Sequence, residues 1–299
     1  MKQLILYLCI VGVISFSSCL KDAVKNPEVD IAINKTTFNV GDTAKFIISG
    51  LPYNLVFYSG EPGNDYYSRN VYTASGGVSS MIFTTALATA AGSSTATNLK
   101  ILVSNNFSGN YNQTEIAAAN WVDVSSQVTV PGTDTVELNP YKAEGKPIYV
   151  AFRFQTEDET KIQRQVTVSG FSVRTAFPNQ NYTNANNVYF AGFASFDFAG
   201  DAANVWNIPV TSNTNNSFTH PLVAANSTKD DDWAISKGFN TNSVMGSTGI
   251  AIKALSSNPV TDYSYIFTKA GTYKVVFVAS NNNQTDSKEV VKEFNVTVN

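Results

Sequence analysis

Residues 270–281 read Ala270-Gly271-Thr272-Tyr273-Lys274-Val275-Val276-Phe277-Val278-Ala279-Ser280-Asn281. A glycine turn opens the run, and apolar side chains then alternate with a β-branched and aromatic bias that suits a pleated, half-buried strand. The same texture continues outward in residues 43–48, 100–103, 148–154 and 165–173, with Gly, Asn, Pro and Ser between the runs. A closing strand is expected from Val290 to Val298. The helix-like stretch is Gln113 to Asn120, around Glu115-Ile116-Ala117-Ala118-Ala119. Many short strands punctuated by turn residues predict an all-β chain made of sandwiches.

The 299 residues are 43% hydrophobic, 12% aromatic and 14% charged. That apolar share supports a core and excludes wholesale disorder, and the length allows one large domain or two ordinary ones. Twenty Lys and Arg against 23 Asp and Glu give a net charge of −3. No nucleic acid is expected as a partner, because a phosphate backbone calls for clustered cations. One histidine, His220, and two cysteines, Cys9 and Cys19, argue against a His/Cys metal centre and leave few parts for nucleophilic catalysis.

The two ends of the chain complement each other. Near the start, Val29-Asp30-Ile31-Ala32-Ile33 leads to Phe38-Asn39-Val40-Gly41-Asp42-Thr43-Ala44-Lys45-Phe46. Near the end, Tyr263-Ser264-Tyr265-Ile266-Phe267 leads into the strand quoted above. Each resembles half of a PKD domain, the small immunoglobulin-like sandwich. Neither half can bury its sheet alone, since a sandwich core needs both faces. The resemblance implies one discontinuous PKD-like sandwich over residues 28–64 and 260–299, with residues 65–259 inserted as a second domain. Two separate small β-domains are the other arrangement the pattern allows.

Within the insert, Asn106-Phe107-Ser108-Gly109-Asn110-Tyr111 precedes Asn120-Trp121-Val122-Asp123-Val124, and Gly145-Lys146-Pro147-Ile148-Tyr149-Val150-Ala151-Phe152 follows. This order resembles jelly-roll modules of the galactose-binding-like, cleaved-adhesin type. The Trp233-Ala234-Ile235-Ser236 element resembles a strand of the same modules.

The address is written at the start. Met1-Lys2-Gln3, an apolar run to Phe16 and then Ser17-Ser18-Cys19 read as a secretory signal over residues 1–18. Ser17-Ser18-Cys19 resembles a bacterial lipoprotein cleavage box, which implies lipid attachment at Cys19. Residues 19–27 read as a tether, and its Lys21-Asp22 pair resembles in part a surface-export signal of Bacteroidota lipoproteins. The expected location is the outer membrane, lipid-anchored and facing outward. Taken whole, with Phe57-Tyr58-Ser59-Gly60-Glu61-Pro62-Gly63 after the first hairpin, the chain resembles a Bacteroidota surface lipoprotein family of uncharacterised function. Members often accompany outer-membrane glycan-uptake systems. The resemblance implies an oligosaccharide or polysaccharide ligand and a glycan transporter complex as a partner.

Catalysis finds little support in the residues. No Gly-x-Ser-x-Gly or His-Glu-x-x-His occurs, and His220 sits in what reads as a loop. The Glu157-Asp158-Glu159 cluster reads as a solvated hairpin turn. The expectation is a glycan-binding, non-catalytic protein, no enzyme and no cofactor, with structural or adhesive binding of protein partners as the alternative. Sugar stacking needs exposed rings, and the candidates are Trp206, Tyr182, Tyr189 and Trp233; Trp206 stands among polar residues, whereas Trp121 reads as core. A structural Ca²⁺ has candidate ligands in Asp230 and Asp232, provided they lie in a loop. Thr135 and Thr43 match a Bacteroidota O-glycosylation pattern, Asp-Ser/Thr-apolar.

Overall fold

The computed structural model describes residues 23–95, 98–209, 211–214 and 216–299. The signal run, Cys19 and the tether up to residue 22 lie outside the described residues. In chain order the strands are β1 (Val29–Ile33), β2 (Thr37–Phe38), β3 (Thr43–Gly50), β4 (Asn54–Tyr58), β5 (Val78–Ala88), β6 (Leu99–Ser104), β7 (Val122–Asp123), β8 (Gly132–Glu137) and β9 (Tyr149–Gln155). They continue with β10 (Gln165–Ala176), β11 (Asn181–Ala185), β12 (Ala194–Ala199), β13 (Ser217–His220), β14 (Asp231–Ile235), β15 (Ile250–Lys253), β16 (Asp262–Ile266), β17 (Gly271–Asn282) and β18 (Ser287–Val298). Among the described residues two short α-helices, α1 (Gln113–Ala118) and α2 (Val188–Ala191), interrupt them. The architecture is all-β and multi-sheet, consistent with β-sandwiches.

The described residues form two compact units: 23–70 together with Gly246–Asn299, and those within Val71–Met245. In the first, a three-stranded sheet ordered β1-β3-β16 lies against a five-stranded one ordered β15-β4-β17-β18-β2. All pairings are antiparallel except that of β18 with β2. Alternation builds the core: Ala44, Phe46 and Ile48 of β3 point inward and meet Leu55, Phe57, Val275, Phe277 and Val296 of the other sheet. Segments 65–70 and 246–259, which the sequence assigns to the insert, group with this unit. The reason is that β15 pairs with β4 and Ser247 N donates to Ser68 O at 3.1 Å. Gly60 is required here: its φ is +82°, and a Cβ would stand 2.8 Å from the backbone of Lys274.

In the second unit, one sheet is ordered β11-β10-β5-β8, with β13 also pairing to β10, and the other β12-β14-β9-β6-β7. Val150, Phe152 and Phe154 of β9 face the first sheet and join Phe83, Phe171 and Phe218 in the main core. Tyr149 and Ala151, one residue out of phase, face the opposite way. That outer face is covered too, by the 105–121 segment carrying α1, whose Ile116 is fully buried. Asn112 caps α1 by accepting from Glu115 N at 3.0 Å, so the expected helix is present. Trp121 is half-buried rather than in the main core; it packs 5.5 Å from Trp233, and its Nε1 donates to Ile116 O.

Candidate functional site

An aromatic rim sits where β11 runs into α2 in the second unit. β11 is an edge strand, bonded to β10 on one side and open on the other. Asn187 ends the turn after it and caps α2, accepting from Phe190 N at 2.9 Å. Val188 and Ala191, three positions apart, are buried against the core. That helical spacing forces the intervening Tyr189 and Phe190 outward, to 40% and 44% exposure. Their rings meet edge to face at 5.3 Å. Beside them Thr183, Asn184, Ala185, Asn186 and Phe190 line a shallow depression of about 230 Å³. The Asn184 amide nitrogen is buried there, with no hydrogen-bond partner among the described residues. Tyr182, half-buried, lies on β11 opposite Thr175. The combination offers ring faces for C–H groups and amides for hydroxyls, with no ionised group among these residues.

Trp206 lies elsewhere, and its expected exposure is corrected. It is 2% exposed, its Nε1 donates to Asp232 O at 3.1 Å, and its ring meets Phe218 and His220 edge-on. The bridge between Asn207 and Thr219 ties this polar-looking stretch to β13, which turns Trp206 inward. Trp233 is 6% exposed and does not present a free ring either. On β14 it points to the outer face, where Trp121, Phe198 and the Arg153 guanidinium cover it. Arg153 is held in turn by two hydrogen bonds to Asp231, at 2.7 and 2.5 Å.

Asp230 and Asp232 do not lie in an open loop. Asp231 begins β14, and the residues on either side of it are both 1% exposed. Asp230 Oδ1 accepts from Asp201 N at 2.9 Å, while its Oδ2 has no partner among the described residues. Gly200, at φ +125°, makes this possible, because a Cβ there would fall 1.9 Å from Asp230 Oδ1. Asp232 Oδ2 lies 3.0 Å from His220 Nε2, and its Oδ1 is unpartnered among the described residues. Burial pushes both carboxyls above the ordinary aspartate range; for Asp232 the His220 contact opposes the shift. Calcium takes six to eight oxygens. Among the described residues no group of three or more His, Cys, Asp or Glu side chains is placed to hold a metal.

His220, read from sequence as a loop residue, ends β13 and is fully buried. Its ring stacks on Phe154 at 3.7 Å. Nδ1 faces Pro221 O at 3.1 Å and Nε2 faces Asp232. The carbonyl on one side and the carboxyl on the other engage both ring nitrogens. With both nitrogens occupied, His220 has no free site from which to activate a nucleophile.

Thr43 and Thr135 are both exposed strand residues, on β3 and on the edge strand β8. Phe190 is the rim residue that sequence reading passed over. The signal was there: an Asn cap, then apolar residues at 188 and 191 that bury one side of a single helical turn.

The family described as "Domain of unknown function (DUF5017)" matches residues 18–193, more than half of the chain. No curated protein matches the chain, and no solved structure does.

Proposed function

The chain belongs to the DUF5017 family, and from the rim described above we propose that it is a surface lipoprotein that binds a neutral oligosaccharide without cleaving it. The observation that carries the reading is the Tyr189–Phe190 pair, exposed on α2 after the edge strand β11 and beside an amide-lined depression. Aromatic faces pack against sugar C–H groups, and Asn and Thr bond the hydroxyls. The residues lining the depression are uncharged, with Arg174 of β10 opposite Thr183, so the rings and amides rather than a basic groove are what a ligand meets first.

In this reading Cys19 carries the lipid, the chain faces outward from the outer membrane, and a glycan transporter complex receives the captured sugar. We read the first unit as a PKD-like sandwich and the second as a jelly roll. Support for the first is the pairing of β4 with β17 across the chain ends; for the second it is the two five-stranded sheets around one core. Protein adhesion is the competing reading, and the open edge of β11 favours it, since an edge strand accepts a partner strand.

Calorimetry of the chain against plant, fungal and host oligosaccharides tests the proposal. Binding that Tyr189→Ala and Phe190→Ala weaken, with melting temperature unchanged, supports it. Release of shortened product would replace it with an enzyme, and no binding to any glycan would turn attention to adhesion.

A further inference from the structure

We propose that one end of the first unit is a lipid-contacting face, which rests the protein on the bilayer surface beside its anchor. The inference rests on the lipid-anchor reading of Cys19 and adds to it a second, non-covalent contact. The chain leading into this unit is not a free tether in its described part. Asn281 Nδ2 donates to Lys25 O at 3.1 Å, and the same side chain accepts from Tyr53 N at 2.8 Å. Leu51 N donates to Glu28 O at 3.1 Å, and Pro27 is buried. Residues 25–28 are therefore fixed to the end of the sandwich where β3 stops and β4 starts.

Covalent geometry then sets a limit. Four residue steps separate Ala23 from Cys19, and an extended chain spans at most about 14 Å over that length. A lipid on Cys19 brings the bilayer to this end of the unit and to no other. The same end carries three exposed apolar side chains, two of them the most exposed large apolar residues of the described part of this unit. Leu51 is 67% exposed, Leu255 65% and Tyr53 41%. They belong together: Lys253, at the end of β15, donates from Nζ to Tyr53 O at 3.2 Å and so holds the 253–255 segment beside Tyr53. Val24, Leu51 and Tyr53 line one groove there.

Scattered apolar residues on a surface are ordinary. Two leucines and a tyrosine gathered at the point where the anchor leaves are what an interfacial contact uses, with tyrosine at headgroup level. Against Lys25 and Lys253 at this end stands one acid, Glu28, and Asp286 and Lys288 in the nearby turn pair with each other at 3.8 Å, so the named groups leave one positive charge. A bilayer of zwitterionic lipid offers that charge no net partner, so the contact there is apolar and should survive high salt.

The test uses the full chain, lipidated at Cys19, in phosphatidylcholine vesicles. An environment-sensitive dye is placed on Leu51→Cys or Leu255→Cys, and for comparison on Val40→Cys. Val40 is 48% exposed and lies beyond the far end of β3, whose eight residues separate the two ends. Flotation with the vesicles reports the anchor, and quenching by a lipid-borne quencher reports the contact. The expected result is co-flotation, with quenching at 51 and 255 at least twofold stronger than at 40 and unchanged in 1 M salt. Co-flotation with equal quenching at all three positions overturns the docking face and leaves the anchor standing. Failure to float overturns the anchor and the inference with it.

Discussion

Phe46 and Phe277, from opposite ends of the chain, meet edge to face with ring centroids 5.0 Å apart. Each is fully buried, and Phe57 completes the cluster at 5.8 Å from one and 5.1 Å from the other. Neither end has another sheet to cover these rings, so the first unit forms only when the end of the chain returns to its beginning. The hydrogen bond between Ser247 N and Ser68 O marks where the chain leaves and re-enters. Exit and re-entry at neighbouring points is the condition under which a host tolerates an inserted domain.

A chain in which Asn70 is joined to Gly246 by a short glycine-rich linker should therefore unfold cooperatively in urea. Residues 23–70 alone should give no unfolding transition. Phe277→Ala in the full chain should destabilise this unit by about 3–5 kcal/mol, as expected for a large ring removed from a packed core. An independent transition from the N-terminal fragment would contradict the shared core.

The buried pair of His220 and Asp232 should behave as a unit. His220→Leu leaves both Asp232 oxygens unpartnered in the core, and breaking a buried pair in this way costs about 3–5 kcal/mol. Replacing both, as His220→Leu with Asp232→Leu, should cost less than His220→Leu alone, because no uncompensated charge remains. Denaturant melts of the two variants decide the point; equal losses would mean that the pair is not coupled.

Asp230 should make stability depend on pH with an unusual sign. Burial raises its carboxyl above the ordinary range, with Asp197 and Asp201 adding to the shift and the Asp201 N–H and His220 opposing it. A raised acid holds its proton more tightly folded than unfolded. Its contribution is therefore most favourable below the ordinary aspartate pKa and is lost as pH rises through the raised value. Asp230→Asn keeps an acceptor for Asp201 N and removes the buried charge. It should melt higher than the wild type at pH 7, with the gap narrowing as pH falls towards the ordinary aspartate range. A constant gap across that window would contradict this.

Two aromatic residues should separate stability from binding. Trp206→Ala should cost about 3–5 kcal/mol, since it empties a filled site and strands the Asp232 carbonyl. Tyr189→Ala should change stability by no more than about 0.5 kcal/mol, as for other surface positions. Thermal melts compare the two directly, and a large loss from Tyr189→Ala would place its ring in the fold rather than on a binding rim.

How much of this was legible beforehand varies along the chain. The long strands were, because β3, β9, β10 and β17 carry their own alternation and each begins and ends at turn residues. The helix at Gln113–Ala118 was, because its alanine-rich core and its length are local. The segment from 176 to 258 was not. Trp206 stands among polar neighbours, and nothing near it in sequence reveals that Phe218, His220 and the Asp232 carbonyl close over it. Asp230 and Asp232 look like a solvated acidic run, yet a glycine at 200 and a histidine at 220 bury them.

The sequence by itself determined where the long strands run, that the two ends carry complementary halves, and which residues of those strands share a face. A period of two is a property of the chain alone. Only the tertiary structure decided which of those faces is covered. Tyr189 stays in the open and Trp233 does not, although both are aromatic residues in polar stretches. The difference is that α2 buries only Val188 and Ala191, whereas the outer face of β14 lies beneath Trp121, Phe198 and Arg153. Burial is set by what arrives from elsewhere in the chain, and no local pattern records it.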